Sequence, residues 1–157
     1  MHTVITLHPP GSETGHAVDQ IVLAHDERRL RRKLLRARKG LEMMIDLPQT
    51  TTLEHGQLLE LDDGSLVEIV AAEEHLYAVT ARDMAHLVRL AWHIGNRHTS
   101  AQLDADRILI KRDHVLKAML EGLGAKVTDT VEPFYAEHGA YHAHAHADSG
   151  HALLARP

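Results

Sequence analysis

The chain has no cysteine. Disulfides, thiolate zinc sites and iron–sulfur clusters are thereby excluded, which leaves His, Asp and Glu as the strong metal ligands. The absence also fits a reducing compartment. Aromatic residues make up only 3%, too few for a base-stacking platform, and a net charge of −5 with histidine neutral argues against a nucleic-acid binder. No run approaches 18 apolar residues, so no membrane-spanning helix is expected. The opening Met1-His-Thr-Val-Ile-Thr-Leu-His8 lacks the basic start and long apolar stretch of a signal peptide, which makes the cytoplasm the expected location. His-Glu-x-x-His, Gly-x-Ser-x-Gly and phosphate-binding glycine loops are missing too. The adjacent pair Glu73-Glu74 reads as solvent-facing, and no nucleophile–base constellation emerges. An enzyme is not expected.

What the chain has in abundance is histidine. Of its 15 histidines, His138, His142, His144, His146 and His151 crowd into the last twenty residues, spaced by alanine and glycine. Those spacers build no core, so the imidazoles gain little from burial. A free imidazole titrates near pH 6.5 and is mostly neutral at pH 7, with a nitrogen lone pair to give. Such a tract reads as metal binding, with nitrogen donors suited to zinc, copper, iron and nickel, and histidine spacing does not choose among them. A disordered terminus or a purification tag is the plainer reading, although a tag is normally an uninterrupted histidine block.

With 44% hydrophobic residues, 157 residues suffice for one ordinary domain or two small ones. Short apolar stretches at 3–7, 20–24, 41–47, 57–61 and 66–70 read as strands, with Asp63-Gly64 as a hairpin turn between the last two. They predict a small barrel or sandwich over residues 1–74. Residues 28–39 hold eight basic side chains and fit either an amphipathic helix or a charged edge strand, most simply a solvated face. The period then changes. Thr80-Ala-Arg-Asp83 fits a capping box, and Met84, Leu87, Val88 and Ala91 form one apolar helical face. Strands at 101–103 and 107–110 follow, then a helix capped by Asp113 and stopped by Gly124, then a strand at 125–131. Counted from a strand at 75–79, the order is β-α-β-β-α-β, the ferredoxin-like arrangement, over residues 75–136. Residues 137–157 are expected to be a flexible His-rich tail. The fold class is thus mixed α+β.

Among the internal histidines, His98 follows Gly95-Asn96-Arg97, where the first long helix should break and leave it on an exposed turn. One imidazole holds a transition metal poorly, so a site at His98 needs the tail or a second subunit across a two-fold axis. His114, beside Asp113, reads as a first-turn residue or an auxiliary ligand. His2, His8, His16, His25, His55, His75 and His86 share no ligand spacing and read as surface; His93 and His98 miss the i,i+4 spacing of a helical zinc pair.

From about residue 35 to residue 141 the chain resembles the UreE family of urease accessory proteins. The resemblance is carried by Leu47-Pro48, Asp63-Gly64, Val70-Ala-Ala-Glu-Glu74, His93-Ile-Gly-Asn-Arg-His98, Asp113-His-Val-Leu116, Met119-Leu120, Leu123-Gly-Ala125, Pro133-Phe134 and Gly139-Ala-Tyr141 before the His-rich end. It implies a partner- or peptide-binding N-terminal β-domain, a ferredoxin-like metal-binding domain, and a homodimer in which His98 of each subunit meets near the two-fold axis. It further implies that Ni2+ is the metal carried, delivered to the urease apoenzyme through an accessory complex that includes the urease GTPase UreG. Arg112-Asp113-His114 stands where many relatives carry His-Asp-His, so an auxiliary site there is one ligand short. The expected function is therefore a nickel metallochaperone for urease maturation. The alternative is a histidine-rich zinc or copper buffer or sensor with no connection to urease.

Overall fold

A computed structural model describes residues 1–139. Its contacts divide the chain into two units: Met1–His75 with Thr130–Phe134, and Leu76–Asp129 with the described residues from Tyr135 on.

The first unit is built on one six-stranded sheet in the order β2-β6-β5-β1-β4-β3. Its strands are β1 (His2–His8), β2 (Asp19–Leu23), β3 (Arg29–Arg36), β4 (Glu42–Thr52), β5 (Leu58–Leu61) and β6 (Leu66–Ala71), with a one-turn helix α1 (His25–Arg28) between β2 and β3. Alternation in β5 and β6 sends Leu59, Leu61, Val67 and Ile69 inward, where they meet Ile21, Leu35, Met43 and Ile45. The hairpin expected at Asp63-Gly64 joins β5 to β6; Gly64 has φ 83°, which only glycine adopts cheaply, and donates to the Leu61 carbonyl at 2.9 Å. The sheet curls. Arg38, just past edge strand β3, donates its backbone N–H to Gln20 of edge strand β2 at 2.9 Å, so the two ends of the strand order meet. Of barrel and sandwich, the curled single sheet is the barrel-like one.

The basic stretch at 28–39 is the edge strand, not the helix: β3 pairs antiparallel with β4 from Arg29 opposite Thr52 to Arg36 opposite Glu42. Arg28 departs from the solvated-face reading, being only 2% exposed. Its guanidinium donates to the carbonyls of Leu23 at 3.0 Å and Phe134 at 2.5 Å, and the Phe134 ring packs edge-on against His25. A planar fork of donors reaches two carbonyls at once, which explains how a permanent charge sits in the interior.

The second unit has the expected β-α-β-β-α-β order: β7 (Glu73–Thr80), α2 (Met84–Asn96), β8 (Ala101–Leu103), β9 (Ile108–Lys111), α3 (His114–Gly122) and β10 (Lys126–Pro133). Its sheet runs β10-β7-β9-β8, the ferredoxin-like order with the first and third strands central. Two local expectations need correction. Thr80 is no cap, because it still belongs to β7; Asp83 caps α2 and accepts from the His86 amide at 2.7 Å. The buried face of α2 lies a step out of register with the expected one. Leu87, Leu90 and Ile94 are buried, whereas Met84 and Val88 are 62% and 60% exposed. A spacing of i, i+4 fits either face of a helix, and here packing against β7 and β9 selected the stripe through 87, 90 and 94.

Candidate metal-binding site

The C-terminal end of α2 is where the local chain is least ordinary. Arg97 donates back to the Ile94 carbonyl at 3.1 Å and His98 to that of Gly95 at 3.0 Å, closing the helix. His98 then takes φ 57°, the one positive φ among non-glycine residues described. Helices commonly end on a left-handed residue, but that residue is usually glycine, because a Cβ there costs roughly 1–2 kcal/mol. His98 is exposed, as expected. The thirteen-residue helix also directs its carbonyl end, with partial negative charge, toward this residue. A cation held there is favoured by about 0.3–1 kcal/mol.

His114 has the opposite setting. It is the exposed first residue of α3, next to Asp113, whose Oδ1 accepts the amides of Val115 at 2.9 Å and Leu116 at 3.1 Å. The amino end of a helix disfavours a cation, so geometry supports its first-turn reading. His138 is exposed. Just before it, Tyr135 N–H donates to the Gln102 side chain at 2.9 Å and Glu137 N–H to the Ala101 carbonyl at 2.7 Å. The segment leading into the His-rich tail is therefore laid along β8, whose first residue lies three positions after His98. Sequence reading missed this tie, since a backbone bond leaves no mark in residue type. His142, His144, His146 and His151 lie outside the described residues.

Among the described residues no group of three or more ligand side chains includes His98, His114 or His138; the one such group is His2, Asp62 and Asp63. His86, expected on the surface, is 5% exposed and fully used. Its Nδ1 accepts from the Arg82 amide at 3.2 Å and its Nε2 donates to the Leu123 carbonyl at 2.8 Å. A core imidazole with both nitrogens occupied is no ligand. No described helix is long and apolar enough to cross a membrane.

A curled β unit and a ferredoxin-like unit, the latter carrying an exposed imidazole at a helix end, define a two-unit α+β protein. The N-terminal domain of the UreE urease accessory protein matches residues 2–72, and its C-terminal domain residues 74–154. Similarity to individual relatives spans nearly the whole chain. The urease accessory protein UreE of Rhizobium leguminosarum bv. trifolii is 51% identical over 154 residues, 97% of this chain and 80% of the relative. Those of Rhizobium rhizogenes and Agrobacterium fabrum are 51% and 49% identical over 144 residues, 92% of this chain and 86% and 89% of theirs. The chain belongs to the UreE family of urease accessory proteins. Membership bears out the reading as a metallochaperone of urease maturation, and does not favour a buffer or sensor unconnected to urease.

Proposed function

We propose that the chain carries Ni2+ as cargo to the urease apoenzyme, held in a homodimer between the His98 imidazoles of two protomers and completed by imidazoles of the tail. The observation that carries this reading is the bond from Glu137 N–H to the Ala101 carbonyl. It starts the tail beside the strand that follows His98, with His138 the next residue; His142, His144, His146 and His151 follow it in sequence. Tethering raises the local imidazole concentration without a rigid cage, which lets a bound ion exchange and be handed on. His114 is at most an auxiliary ligand.

Two protomers are supported by α2. Met84, Val88 and Trp92, spaced four apart, are 62%, 60% and 64% exposed and form an apolar stripe along α2, which ends at Asn96, two residues before His98. An exposed stripe of this kind marks an interaction surface. A two-fold axis passing close to the carbonyl end of this stripe, and only there, would bring the two helix ends and both imidazoles together. In this reading residues 75–136 bind metal, residues 1–74 receive the partner, and the complex that accepts nickel in the cytoplasm includes the GTPase UreG.

Calorimetric titration of nickel into the intact chain and into His98→Ala tests it, with light scattering to follow mass. The variant should remain a dimer and lose the tightest binding step, which is shared between two chains. Equal affinity and stoichiometry in both proteins overturns the reading.

A further inference from the structure

Outside the imidazole-rich half, one cluster of ligand side chains is built rather than scattered. His2 opens β1, and the antiparallel pairing of β1 with β5 carries the strand end past the β5–β6 turn. There Thr3 donates its N–H to Asp62 Oδ2 at 3.2 Å while its carbonyl accepts from Asp62 N–H at 2.9 Å. Two neighbouring carboxylates thereby meet an imidazole sixty residues away in sequence. His2 Nδ1 lies 2.9 Å from Asp62 Oδ1 and 3.7 Å from Asp63 Oδ2.

Each carboxylate has one oxygen pinned and one turned to the cluster. Asp62 Oδ2 is held by Thr3; Asp63 Oδ1 accepts from Ser65 N–H at 2.9 Å and from the Ser65 hydroxyl at 2.6 Å. Asp62 Oδ1, Asp63 Oδ2 and His2 Nδ1 remain as three donors on one side. First-row ions bind nitrogen and oxygen at about 2.0–2.2 Å, so ligands on neighbouring positions stand about 3–3.5 Å apart. The separations here bracket that range. Hydrogen bonds that orient ligands from behind are what distinguish a prepared site from a chance gathering of charge.

We propose that His2, Asp62 and Asp63 form a divalent-cation site of the first unit, with one imidazole and two carboxylates occupying three positions and water the rest. The cation takes the Nδ1 lone pair in place of the hydrogen bond to Asp62, and the neutral ring keeps its single proton on Nε2; a doubly protonated ring gives its second proton to solvent. Two carboxylates offset the double charge. Carboxylate and water ligands suit hard ions, Mn2+ included, whereas imidazoles alone suit zinc, copper, iron and nickel. The site is independent of the nickel reading and stands or falls without it.

Mn2+ therefore separates the two. Titrated into the full-length, metal-stripped chain, it should broaden the amide resonances of Thr3, Asp62, Gly64 and Ser65 before those around His98 and His114. Asp62→Asn with Asp63→Asn should weaken the effect at least 10-fold. Ser65→Ala, which keeps all three ligands and frees one carboxylate, should weaken it severalfold. His2→Ala, which leaves the hairpin untouched, repeats the test should the double variant fold poorly. Broadening that begins equally at Asp104 and Asp106, or that persists unchanged in His2→Ala, overturns the proposal.

Discussion

The His86 imidazole bonds the Leu123 carbonyl at 2.8 Å and so ties the first turn of α2 to the end of α3. Its other nitrogen accepts from Arg82, which requires the neutral ring with the proton on Nε2. Replacing it with alanine strands the Leu123 carbonyl and the Arg82 amide. His86→Ala should cost about 1–3 kcal/mol in urea unfolding and leave the number of bound metal ions unchanged. A drop in metal stoichiometry in the folded variant would contradict its assignment as a core residue.

Gly124 stops α3 at φ 88°, and a Cβ there would stand 3.2 Å from Arg82 Nη1. The arginine end can swing away, but the backbone conformation remains adverse. Gly124→Ala is expected to lower stability by roughly 1–2 kcal/mol, read as a shift in the urea midpoint with an unchanged slope.

Arg28→Lys should be as damaging as a far less similar change. An ammonium cannot reach the carbonyls of Leu23 and Phe134 together, so one buried acceptor loses its partner. The loss should be about 1.5–3 kcal/mol by denaturant titration.

At His98 stability and function should part company. Glycine accepts φ 57° without the Cβ penalty that alanine meets. His98→Gly should be more stable than His98→Ala by about 1 kcal/mol in thermal unfolding, while both lose the tightest nickel-binding step.

Asp62 has its carboxyl pKa lowered, chiefly by the hydrogen bond from His2. A group whose pKa is depressed in the folded state stabilises above its unfolded value, near 4, and that contribution disappears as pH falls through the folded pKa. In metal-free protein the stability gap between wild type and Asp62→Asn should thus be present at pH 6 and shrink as pH falls below the ordinary carboxylate range. Carbon-detected titration should show the Asp62 pKa rising in His2→Ala.

The strands and helices were readable because their signals are local. Alternation marks β5 and β6, Asp63-Gly64 supplies the turn between them, and Asp113 and Gly124 bracket α3. His98 was readable as an exposed turn residue for the same reason: Gly95-Asn96 ends a helix whatever surrounds it. The errors have a common origin. Thr80 and Asp83 are three apart and both suit a cap, but pairing of β7 with β9 as far as Val79 keeps the chain extended through Thr80. Met84 and Val88 are as apolar as Leu87 and Leu90, and only docking on the sheet picks the buried pair.

By itself the sequence determined the β-then-βαββαβ order, the lack of thiol chemistry and the wealth of imidazole, since composition and periodicity act over a few residues. The tertiary structure alone decided that Arg28 and His86 are interior, that Glu137 bonds Ala101, and that His2 faces Asp62 and Asp63. Each of these joins segments between 36 and 106 residues apart, and a meeting at such range is set by strand register and packing, which no single stretch of chain encodes.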